Sequence, residues 1–147
     1  MNTPREVADA AELLGLSELT EIRVYEVTGR RVQGEDGDEA REATEALQLH
    51  ARGGENWFET RGRMLVQTAE ADLVADAAAI FTFSEPVQVS QAVATEFVER
   101  VGVMAVYPFL REHIHTTASR LGVPAPVVGL LRAGGFHVDA PEAPSED

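Results

Sequence analysis

Between Leu47 and Phe83 apolar and polar residues alternate in three short stretches joined by connections of only a few residues, and this crowding constrains the fold most. Parallel strands need crossovers of about a dozen residues or more, so stretches this close are predicted to pair antiparallel, as a meander. Leu47 and Leu49 mark the first stretch. In the second, Phe58, Thr60, Met64 and Val66 face one way and Glu59, Arg61, Arg63 and Gln67 the other. Gly53-Gly54-Glu55-Asn56 supplies the turn between them. The third, Asp72 to Ser84, ends as Ala77-Ala78-Ala79-Ile80-Phe81-Thr82-Phe83, apolar on both faces, which predicts a strand covered on both sides. Upstream, Leu19 to Val32 reads as a fourth strand, with Ile22 and Val24 opposite Arg23 and Tyr25. Its alternation slips near Val27 to Gly29, which predicts a bulge there.

Helices flank these strands. Thr3-Pro4-Arg5-Glu6 has the form of a capping box, and Val7, Ala10, Ala11 and Leu14 follow at helical spacing before Gly15. After Pro86, Ser90 is a candidate N-cap, and Val93, Phe97, Val101 and Met104 form a stripe resumed by Ile114, Ala118 and Leu121. Gly102 and Pro108 predict a break or kink between two helical pieces, and Gly122-Val123-Pro124 ends them. The fold class expected is α+β: a four-stranded antiparallel sheet, a long C-terminal helix packed on it and a short N-terminal helix.

Two regions read as solvated. Gln33 to Glu42 contains glycine and acids, as in a loop. From Asp139 the tail holds Pro141, Pro144, four acids and no large apolar residue, which predicts disorder. Across all 147 residues 25 acids face 12 basic residues, every one an arginine, for a net charge of −13. Phosphate backbones would be repelled, so nucleic acid is excluded as a partner. The chain lacks cysteine, which suits a reducing cytosol. It shows no basic-then-apolar leader and no apolar run near the ~20 residues of a spanning helix, so a soluble cytoplasmic protein without membrane insertion is expected.

The helix from Val101 to Leu110 is apolar all round, as is the strand ending at Phe83. A single sheet covers one side of a helix, so the surplus predicts self-association or a groove for another chain. At ~25 cal/mol/Å², a client segment burying on the order of 400 Å² would gain about 10 kcal/mol gross, most of it offset by ordering and association costs. Candidate groove residues are Trp57, Phe58, Met64, Ile80, Phe81, Phe83, Phe97 and Met104. Candidate subunit-interface residues are Val106, Tyr107, Phe109, Leu110, Arg111 and Ile114.

The segment Val106-Tyr107-Pro108-Phe109-Leu110-Arg111-Glu112-His113-Ile114, followed by Ser119-Arg120 and Pro124, resembles the long helix of the SecB family of export chaperones. Pro108, Arg111, Glu112, Ile114, Ser119, Arg120 and Pro124 fall at that family's spacings without a gap. The resemblance implies a SecB-like domain at 19–133, flanked by the amphipathic helix expected at 1–18 and the disordered acidic tail expected at 134–147. It also implies a homotetramer, built as a dimer of dimers, that holds unfolded polypeptides for export without ATP. Departures qualify this. Export members end with a Pro-Val-Asn-Phe segment and a further helix, whereas here Gly129-Leu130-Leu131-Arg132 runs into Gly134-Gly135. Export members also present acids to the motor ATPase at positions that fall near Glu26, Arg30 and Ala79 or Ile80, so one charge is reversed and one missing. These departures, with the extra N-terminal helix, admit a SecB-like chaperone dedicated to a toxin–antitoxin antitoxin.

Catalytic chemistry has little foothold. His113 and His115 lie two apart, about 200° around a helix, and cannot share a metal as an i, i+4 pair could. His50 and His137 carry no carboxylate spacing of a metal motif. Gly34 and Gly37 lie among acids that would repel phosphate, and no nucleophile motif occurs. No enzyme, cofactor or metal is expected. A small-molecule-binding α+β domain using the helix-over-sheet space is the remaining alternative.

Overall fold

The computed structural model describes residues 3–32, 42–129 and the strand His137–Val138. In chain order the elements are β1 (Arg5–Glu6), α1 (Ala10–Leu16), β2 (Ser17–Arg31), β3 (Thr44–Gly53), β4 (Trp57–Gln67), β5 (Ala71–Phe83), β6 (Val87–Gln88), α2 (Gln91–Phe97), a π-helical turn (Val98–Gly102), α3 (Val103–Leu121) and β7 (His137–Val138). The sheet order is β2-β5-β4-β3-β7. The architecture is therefore the α+β one expected: four antiparallel strands, a long helix on one face and a short N-terminal helix.

Within that frame β3, β4 and β5 form a meander, but β2 pairs with β5 and not with β3. Residues 32–43 thus connect opposite edges of the sheet. β5 is thereby a central strand, with its backbone hydrogen-bonded to β2 on one side and β4 on the other. β7 adds a short parallel pair on β3, His137 opposite Gln48 and Val138 opposite Leu49. The remaining tail, and most of the acidic loop from Gln33 to Glu42, lie outside the described residues.

The N-terminal helix starts later than its sequence implied. Asp9 is the N-cap, accepting the Glu12 N–H at 2.8 Å, while Glu12 accepts from Ala8 N–H and pairs with Arg5. A second box, Asp9 to Glu12, thereby outcompetes Thr3 to Glu6, and Arg5–Glu6 is free to pair with Val87–Gln88 as parallel strands. Gly15 lies inside the helix, which ends at Ser17. The β2 irregularities fall between Leu19 and Glu21 and between Val24 and Glu26, upstream of Val27. The second leaves Tyr25 without a strand partner and swings its ring over the outer face of the sheet.

Ser90 caps α2 as expected, accepting the Val93 N–H. The helix then continues through the π turn into α3 without breaking, and Pro108 sits on its exposed side. One extra residue in the π turn rotates the buried stripe onto Gly102, Val103, Val106, Leu110, Ile114 and Ala118. Val101 is consequently only half-buried, and Met104 is 51% exposed. Gly122, at φ 72°, ends α3 in the left-handed conformation that glycine adopts without strain.

Core packing centres on Phe97, which meets Phe58 and Phe81 edge-to-face at 5.3 and 5.1 Å. Gly102 lies against Thr60 of β4 so closely that a Cβ would collide with the threonine side chain. The Thr60 hydroxyl is itself buried without a hydrogen-bond partner. Gly102→Ala is therefore expected to lower stability by about 1–3 kcal/mol through overpacking. Adding Thr60→Ala should recover most of that loss, as measured by urea denaturation of the single and double variants. Strictly additive losses would show that the two residues do not share this contact.

Candidate functional site

Strand parity scatters the residues that sequence grouped as a groove. Phe58, Met64, Phe81 and Phe83 point to the helix side and are buried, and Phe97 is wholly enclosed between them. Trp57 and Ile80 lie on the opposite, outer face and are half-buried. Met104 stands exposed on α3. The interface set divides in the same way. Val106, Leu110 and Ile114 pack onto the chain's own sheet, while Tyr107, Phe109 and Arg111 lie off that stripe.

Tyr107 ties α3 to the segment that follows it by donating its hydroxyl to the Gly129 carbonyl. Burial pushes its phenol up. The Arg111 guanidinium lies 5.9 Å from the Tyr107 ring centroid, on a hollow of about 290 Å³ shared with Pro108, Glu112, His115 and Pro126 to Val128. Exposed apolar side chains gather in two places. Leu19, Val24, Tyr25 and Val27 line the edge strand β2, and Met104, Phe109 and Val127 surround α3. Among the described residues nothing pairs with the open side of β2, whose fifteen residues present a long free edge.

The outer face of the sheet, on which Glu59, Arg61 and Arg63 were expected to lie together, holds a polar cluster. Asp76, 1% exposed, receives two hydrogen bonds from Arg61 at 2.8 and 2.9 Å and one from Arg63, which also holds Glu26 at 2.9 Å. Glu59, 3% exposed, accepts from the Tyr25 hydroxyl at 2.7 Å and from Arg52 at 3.0 Å. Arg61 also lies 4.0 Å above the Tyr25 ring. Flat-lying arginines and one tyrosine thus roof the outer side of β5, including Ala78, with no second layer of backbone among the described residues. Together with His50 they line a hollow of about 420 Å³. A register bringing Arg63 opposite Asp76 was the available signal, and it needs the pairing of β4 with β5.

No family model matches the sequence. The SecB-like chaperone SmegB of Mycolicibacterium smegmatis is 40% identical over 139 residues, covering 95% of this chain and 92% of that protein. The chain belongs to the SecB-like chaperones. Its fold is also that of the SecB-like chaperone of Mycobacterium tuberculosis, solved in complex with a ChAD peptide from the HigA1 antitoxin. The two superpose with a TM-score of 0.69 at 16% identity, over 84% of this chain and 93% of that one. This SecB-like chaperone therefore shares its fold with a protein solved with a bound peptide. No helix among the described residues is long and apolar enough to cross a membrane.

In this SecB-like chain the Asp76 carboxyl is the most constrained charge. Burial alone would raise it, but hydrogen bonds from Arg61 and Arg63 outweigh burial and hold it below the ordinary carboxylate value. Such a group contributes stability that is complete above about pH 4 and is lost as pH falls toward the depressed native value. Asp76→Asn should cost about 1–3 kcal/mol at neutral pH, because Arg61 and Arg63 can partly rehydrate. Its deficit against the unsubstituted chain should shrink as pH falls below about 4, read from urea midpoints. A deficit independent of pH would show that Asp76 acts through shape and not charge.

Proposed function

We propose that this chain is an ATP-independent holdase of the cytoplasm that binds apolar segments of non-native polypeptides, with a dedicated client of the antitoxin type. The observation that carries this is 40% identity across 95% of the chain to a SecB-like chaperone. A neighbour of the same fold holds an antitoxin peptide, which supports that client class. Client contact then falls to Met104 and to Trp57 and Ile80, while Phe58, Met64, Phe81, Phe83 and Phe97 back the binding wall from inside.

Export is the second reading, and one feature speaks against it. Of the positions at which export members offer acids to the motor, Glu26 is ion-paired to Arg63, position 30 is an arginine paired to Asp72, and Ala79 faces the core. Little free negative charge remains there for a motor to recognise.

Assembly as a homotetramer, a dimer of dimers, belongs to the same proposal. β2 carries Glu18 and Glu21 near its start and Arg30 and Arg31 at its end. Two copies laid edge to edge antiparallel would oppose acid to base at both ends, as an isologous contact requires. Tyr107, Phe109 and Arg111 remain for the contact between dimers.

Two measurements test these readings. The protein should suppress aggregation of a denatured substrate without ATP and bind the ChAD peptide of HigA1 in calorimetry. Suppression without ChAD binding would return the client to general cargo, and absence of both would end the holdase reading. Phe109→Glu should halve the molar mass in light scattering, from four chains to two. A native mass of one chain for the unsubstituted protein would remove the assembly, and an unaltered tetramer would remove Phe109 from its contacts.

A further inference from the structure

Beneath Arg52 and Arg61 the outer face of the sheet buries its acids and shows its bases, while Glu26, held by Arg63 at the far end, keeps 40% of its surface. The Glu59 and Asp76 side chains keep 4% and 2% of their surface, whereas Arg52, Arg61 and Arg63 keep 47%, 39% and 34%. In a chain of net charge −13 this face presents guanidinium to solvent. We propose that its occupant is the chain's own acidic segment, residues 139–147, docked on the row of Arg52, Arg61 and Arg63 beside Trp57.

Position, reach and charge support this occupant independently of the chaperone reading. β7 runs parallel to β3 with Val138 opposite Leu49, so the chain leaves it travelling toward the end of β3 that carries His50 and Arg52. The nine residues from Asp139 span up to ~30 Å when extended. The row crosses two adjacent strands and four residues of β4, ~14 Å from Arg52 to Arg63. Asp139, Glu142, Glu146 and Asp147 are the segment's charges, with no base among them. A foreign acidic chain would have to approach against the net negative field, whereas a segment tethered one strand away binds at high effective concentration. Guanidinium groups already held by buried carboxylates lose little freedom on meeting a second carboxylate, which favours their use as a fixed docking row.

The sequence has one tryptophan and no cysteine, which makes the test direct. Arg52 lies 5.5 Å from the Trp57 ring centroid, so an occupant of the row comes within contact range of that indole. A nitroxide attached to the single thiol of Ala143→Cys in the full chain should quench Trp57 emission several-fold at ~0.05 M salt. Quenching should be largely relieved at ~0.5 M salt, where charges are screened beyond a few ångströms. It should also be relieved in the full chain with Asp139→Asn, Glu142→Gln, Glu146→Gln and Asp147→Asn. Arg52→Gln with Glu59→Gln, which removes a guanidinium without stranding a buried acid, should weaken it likewise. Absent quenching, or quenching indifferent to salt and to both neutralised variants, would overturn the proposal. Loss of quenching on dilution with unlabelled chain would assign the contact to another copy and overturn it as an intrachain one.

Discussion

The close seating of one helix on one sheet is the constraint from which the rest follows. α3 can approach because small residues line the track beneath it: Ala75, Ala77 and Ala79 on β5, Gly62 on β4 and Gly29 on β2. A Cβ at Gly62 would come within 2.8 Å of Leu110, and one at Gly29 would strike Thr117. On the helix side Gly102 performs the same service against Thr60, and the π turn brings it there. Dispersion contacts fall off steeply with distance, so this proximity turns a run of valines, leucine and isoleucine into a dry core.

Seating the helix on one face leaves the other, among the described residues, without a backbone layer. The chain meets that need with charge instead of bulk. Asp76 and Glu59 are sunk into the sheet surface and roofed by Arg61, Arg63, Arg52 and Tyr25, so polar groups are satisfied where a second layer would normally exclude water. The bulge that frees Tyr25 from strand pairing is part of this roof, because its hydroxyl reaches Glu59 and its ring carries Arg61. What the roof does not cover is the β2 edge and the flank of α3 around Met104 and Phe109.

Much of the fold was legible in the residues. Alternation marked β3, β4 and β5, Gly53 to Asn56 marked a turn, Ser90 marked a helix start and Gly122 a helix end. The family was legible too, from Pro108, Arg111, Glu112, Ile114, Ser119 and Arg120 at fixed spacing. The face that each candidate groove residue occupies was not. Trp57 and Phe58 are neighbours in the chain, but a strand sends them to opposite faces. The stripe through Val101 and Met104 was misaligned because a π turn adds a residue that periodicity alone does not register.

By itself the sequence determined the class of the long elements and the family, since local alternation, caps and motif spacing depend only on residues near one another along the chain. Tertiary structure alone decided that β2 lies against β5, that Asp76 sits between Arg61 and Arg63, and which apolar side chains remain outside. Those outcomes depend on register and on helix rotation, each set by contacts between segments tens of residues apart. A shift of one residue in either would exchange buried for exposed positions while leaving every local pattern unchanged.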